Sequence, residues 1–98
     1  MAKKTPRDNT VCRNRKATYR FQILEELECG IVLQGTEVKS LRERTASIEE
    51  AYARIEDGEL WLIGCHIAAY KFGHTRNHDS LRRRKLLVHA RELRRLKP

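Results

Sequence analysis

The stretch AYARIEDGELWLIG, residues 51–64, constrains the fold more than any other part of the chain. Tyr52, Arg54 and Glu56 alternate with Ala53 and Ile55, which is the period of a strand with two different faces. Asp57 and Gly58 then supply the two positions that tolerate positive φ, as a type I′ turn requires. Leu60, Trp61, Leu62 and Ile63 return antiparallel to the first arm. The segment is predicted to be a tight β-hairpin.

The remaining elements are read around it. Phe21 and Ile23 begin an alternating run that continues through LEELECGIVL, and Gly30 inside that run predicts a bulge or sharp bend in a long strand. GTEVKSLRER reads as a short helix capped by Thr36, with Val38 and Leu41 on one face. SIEE has the capping-box pattern, Ser47 to Glu50, and predicts a brief helix before the hairpin. KFGHTRNHDS is a polar loop. Residues 84–88 read as a strand, and His89 with Glu92 opens a helix through Leu93 and Leu96. Short strands, a hairpin and a bulge predict a mainly β fold with short helices, an oligonucleotide-binding (OB)-like antiparallel barrel. Residues 1–13 are polar and basic, so a flexible arm is expected there, followed by one domain over 14–98.

Charge is segregated along the 98 residues, with a net charge of +8. Residues 1–20 carry seven Lys or Arg against Asp8, and residues 76–98 carry nine against Asp79 and Glu92. Residues 21–75 carry five against ten acids. Clustered cations at both ends favour a polyanionic partner, because they release condensed counterions on meeting phosphates. Apolar runs fall well short of the roughly 18–20 residues of a membrane span. Lys3 and Lys4 have no apolar stretch behind them, so no signal peptide is read. Cys12, Cys29 and Cys65 are odd in number and widely spaced, which reads as reduced thiols in the cytoplasm, with Cys29 and Cys65 packed as small apolar residues.

Other constellations are weaker. His74, His78 and Asp79 have two histidines four apart, which suits zinc only on a helix, and this stretch is loop-like. Cys65 and His66 are neighbours on a strand and point to opposite faces, so they cannot act as nucleophile and base. Trp61 and Tyr52 fit either base stacking or packing. In the strand at 84–88, Leu87 shares a face with Lys85 and opposes Leu86 and Val88, which favours an outward Leu87. No cofactor or metal is expected, and a monomer is favoured.

Four segments, NRKA at 14–17, GIVLQGTEVKSLR at 30–42, DGELWLIG at 57–64 and RRKLLVHAREL at 83–93, occur in an order and spacing that resemble small protein B, the tmRNA-binding (SsrA-binding) family of bacterial trans-translation. The likeness covers roughly residues 13–96. It implies an OB-like barrel flanked by short helices, and a non-enzymatic role: binding the tRNA-like domain of tmRNA and delivering it to stalled ribosomes. It also implies an RNA surface that includes Asn14, Glu28 and Leu87. Asn14 would donate and accept at a sugar or base edge. Glu28 would accept from a base amino or imino group, giving selectivity rather than affinity, and Leu87 would offer a base an apolar face. Arg15, Lys16, Lys39, Arg42, Arg82, Arg84 and Lys85 would neutralise phosphates, with Tyr19 available for stacking.

Two segments depart from the family pattern. Tyr19 and Phe21 stand where a histidine and a tyrosine are usual, and Ser80 stands where proline is usual. Family members also continue past REL with further strands and a basic tail, so the chain is expected to be interrupted within its last helix, leaving an open barrel edge. Two other function classes are set beside this one: a general single-strand-binding OB module, and a metal-dependent nuclease built on His74, His78 and Asp79.

Overall fold

The computed structural model describes residues 10–20, 22 and 25–96, without the side chains of residues 18–20. In chain order the elements are α1 (Arg15–Arg20), β1 (Gly30–Ile31), α2 (Gly35–Arg42), β2 (Ala46–Ser47), β3 (Tyr52–Glu56), β4 (Glu59–Ile63), β5 (His66–Ile67), a 3-10 turn (His74–Arg76), β6 (Arg84–Leu87) and α3 (Ala90–Leu96). Four strands form one antiparallel sheet in the order β1-β6-β4-β3, and β2 pairs with β5 in a second. The described strands are thus mainly β in two antiparallel sheets, and they do not close into a barrel.

The hairpin forms as its residues dictate. Asp57 and Gly58 adopt φ of 51° and 74°, and the register runs from Tyr52 opposite Ile63 to Glu56 opposite Glu59. Trp61 lies opposite Arg54 on one side and Lys85 on the other, so these three share a face, while Leu60, Ile55 and Leu86 share the opposite one. Leu60 is buried there, and Cys65 and Ile67 complete the apolar centre. Cys29 is only half-buried, not the core residue expected.

Three local expectations give way to pairing. Among its described residues, the run from Phe21 contributes only Gly30 and Ile31 as strand, opposite Leu87 and Leu86; residues 21, 23 and 24 lie outside the described set, as do most of the expected arm, residues 1–9. Ser47 does not open a helix, because it pairs with His66 in β2 and only a turn, Ala51 N–H to Ile48 O, separates it from β3. In α2 the cap is Gln34 rather than Thr36: the Glu37 carboxylate accepts the Gln34 N–H at 2.7 Å, closing the first turn. Thr36 instead meets His78 Nδ1 at 2.8 Å.

Gly64 ends β4 at φ 81°, and a Cβ there would sit 2.8 Å from the Glu50 carbonyl oxygen. Both the conformation and the space require glycine. Gly64→Ala is expected to cost about 2–3 kcal/mol, read as a lowered urea midpoint. An unchanged midpoint would contradict this close approach.

Candidate nucleic-acid interface

The pairing of β1 with β6 builds a cleft at the edge of the larger sheet. Gly30 lies opposite Leu87, so the chain entering β1 runs beside the chain leaving β6, and Glu28, Cys29, Gly30, Leu87, Val88, His89 and Glu92 line one hollow. Residues 28 and 87, far apart in sequence, are brought together. Leu87 is 51% exposed. Gly30 keeps it so, since a Cβ there would stand 3.4 Å from the Leu87 Cβ and cover its flank. Glu28 is exposed at the rim. Burial and the nearby Glu92 carboxylate both push the Cys29 thiol up, so it stays protonated. The hollow therefore offers an apolar face flanked by carboxylate acceptors.

The amino-terminal candidates have a different geometry. Asn14 Oδ1 accepts the Ala17 N–H at 3.1 Å and caps α1. Its Nδ2 donates to Ile48 O at 3.0 Å and Glu49 O at 3.4 Å. The amide is spent on fixing α1 against the turn before β3. Lys16 pairs with Glu50 at 2.8 Å with both groups well exposed, a contact of less than about 1 kcal/mol. Arg15 is exposed and borders a second hollow with Thr10, Val11, Cys12, Arg13, Arg44 and Glu49. Tyr19 belongs to α1, and its side chain lies outside the described set.

The cation run at residues 82–85 is where the sequence reading changes most. Arg84 is 0% exposed and so cannot meet a phosphate. Its guanidinium donates to Glu37 Oε2 at 2.7 Å and to the carbonyls of Cys65, Arg82, Asp79 and Ser80. Arg82 holds both Glu37 oxygens, at 2.9 and 2.7 Å. Arg83 stacks 4.2 Å over the Trp61 ring and pairs with Glu56, which also covers Trp61 as a stacking platform. Lys85 pairs with Glu59 at 2.8 Å, and both remain partly exposed. Mutual repulsion within the run is relieved by acids of the same fold, so relief by phosphate is not needed. Glu37 is the residue that sequence reasoning missed; its only signal was its place in GTEVKSLR.

Lys39 and Arg42 stand exposed on α2, and neither forms an ion pair among the described residues. His78 is buried with Nε2 on Ile67 O at 2.9 Å and Nδ1 on Thr36 Oγ1. A carbonyl can only accept, so Nε2 donates and, in the neutral ring, Nδ1 accepts from the threonine hydroxyl. Both His78 nitrogens are thus engaged within the fold, where the ring ties α2 to β5.

The described surface combines exposed cations, carboxylate acceptors and exposed apolar side chains. Comparison with known proteins gives the family. The chain belongs to the SmpB protein family, whose model matches residues 11–98. The SsrA-binding protein of Protochlamydia amoebophila is 54% identical over 84 residues, covering 86% of this chain and 55% of that protein. That of Levilactobacillus brevis is 50% identical over 95 residues, covering 97% and 60%. A solved chain described as "tmRNA-SmpB: a journey to the center of the bacterial ribosome" is similar at a TM-score of 0.68 and 52% identity, covering 85% of this chain and 58% of that one. The chain thus spans little more than half the length of these relatives.

Proposed function

We propose that this chain binds the tRNA-like domain of tmRNA and serves trans-translation at stalled ribosomes in the cytoplasm, as a monomeric binding protein without catalysis. The observation that carries the reading is the cleft that joins Glu28 to Leu87. A splayed base lies against the Leu87 side chain while Glu28 accepts from its amino or imino group. The carboxylate repels phosphate, so it selects for the base rather than adding affinity. Arg15, Lys39 and Arg42 supply phosphate contacts elsewhere on the surface; Lys16 adds one only by leaving Glu50, Lys85 only by leaving Glu59, and Arg82 only by leaving Glu37. Asn14 acts by holding α1, and through it Arg15, Lys16 and Tyr19, in place. The domain over residues 14–98 is read as part of an OB-like barrel, supported by its antiparallel strands and by the likeness to the solved SmpB chain.

The test is binding of the chain to the tRNA-like domain of tmRNA in competition with an ordinary tRNA and an unstructured RNA. Preference for the first is expected, with affinity falling by about one unit of log–log slope per phosphate contacted as salt rises. Equal binding of all three would favour the general single-strand-binding alternative.

A further inference from the structure

The polar loop at residues 70–77 carries chemistry that the cleft does not use. Tyr70 and Phe72 stand edge to face, their centroids 5.6 Å apart at 76°. Phe72 is 63% exposed, the largest value among the exposed large hydrophobic side chains described. Lys39 Nζ, from α2, lies 5.6 Å over the Tyr70 ring, and Lys71 Nζ lies 5.3 Å over Phe72. Neither ammonium has an ion pair among the described residues. This reverses the situation at residues 82–85, where every cation has an internal acid. Here each charge is held beside an aromatic face and left open to solvent.

The loop is also rigidly built. Asn77 clamps Tyr70 through both backbone groups: Oδ1 accepts the Tyr70 N–H at 2.9 Å, and Nδ2 donates to the Tyr70 carbonyl at 2.7 Å. Gly73 N–H returns to Tyr70 O at 2.9 Å, and any Cβ on Gly73 would stand 2.7 Å from Asn77 Nδ2. Glycine is what admits the clamp.

We propose that this loop, together with Lys39, is a second RNA-contact surface, on which Phe72 stacks an unpaired base and Lys39 and Lys71 hold the flanking phosphates. It rests on the reading that the chain binds RNA, and it adds a contact separate from the Glu28 and Leu87 cleft. Charge decides the class of partner: two ammonium groups with no ion pair among the described residues, beside an exposed ring, complement a single-stranded polyanion with π-faces. A protein surface would have to bring its own acids to the same spacing.

The experiment titrates the chain with a short single-stranded RNA carrying one fluorescent purine analogue, and separately with the tRNA-like domain. Phe72→Ala is expected to abolish quenching of the analogue and weaken the single strand about tenfold, while Phe72→Tyr restores both. Lys39→Gln with Lys71→Gln is expected to lower the salt slope without removing the quenching. Phe72 is mostly exposed, so its variants should keep the parent's melting temperature. If Phe72→Ala leaves quenching and affinity unchanged while the unaltered chain binds RNA, the platform is overturned and the cleft reading stands. If the unaltered chain binds neither RNA, the RNA reading fails and the platform with it.

Discussion

Glu37→Ala is expected to lower the unfolding free energy by about 3–5 kcal/mol, a large share of what a small domain has. The carboxylate is fully buried at the start of α2, where it takes two bonds from Arg82, one from Arg84 Nε and one from the Gln34 N–H. Removing it leaves the Arg84 guanidinium buried among carbonyls with no counter-charge. It also opens the first turn of α2. The same group makes stability depend on acid. Burial alone pushes the Glu37 carboxyl up, but hydrogen bonds from Arg82, the Gln34 backbone and Arg84 outweigh it and hold the group at about 2. In the unfolded chain it titrates near its ordinary 4.5. A depressed folded value means the contribution is complete above about 4.5 and is lost as pH falls toward about 2, amounting to roughly 3 kcal/mol. Urea unfolding at neutral pH and near pH 3 measures this. Glu37→Gln should lose most of that acid-sensitive term, and an unchanged acid response in the variant would assign the sensitivity elsewhere.

The largest effect on binding is expected at the cleft. Leu87→Asp replaces the apolar wall with a second charge facing RNA, and is expected to weaken the tRNA-like domain by roughly tenfold to a hundredfold, the span of one lost base contact. Glu28→Ala acts differently. It removes an acceptor whose use is discrimination, so the preference over ordinary tRNA should fall by a similar factor while binding to unstructured RNA holds or tightens slightly. Leu87 and Glu28 are exposed, and both variants should melt like the parent. Competition binding with melting curves separates these outcomes. Equal losses for every RNA in Glu28→Ala would contradict a selective role.

What the sequence revealed and what it concealed divide by range. The hairpin was readable because Asp57 and Gly58 need nothing beyond their own φ preferences. The outward face of Leu87 was readable because strand alternation is local. The counter-charges of residues 82–85 were not, since Glu37 lies 45 and 47 positions from Arg82 and Arg84, and Glu59 lies 26 from Lys85. A run of cations looks the same in sequence whether it faces phosphate or a buried carboxylate. The Ser47 pattern misled for the complementary reason: its capping signal is local, and pairing with His66 overrode it. Glu28 and Leu87 could be named only by resemblance, and Asn14 likewise, though its amide turned inward to Ile48. That the first two share one hollow depends on the Gly30–Leu87 pairing, which no local pattern contains.

The most direct measurement is amide NMR of the 98-residue chain titrated with the tRNA-like domain of tmRNA. Perturbations should gather at residues 28–30 and 87–89, with the hairpin turn at Asp57 and Gly58 unmoved. Perturbations confined to α1, α3 and other charged surface, with the cleft silent, would contradict recognition through Glu28 and Leu87 and reduce the interaction to charge alone.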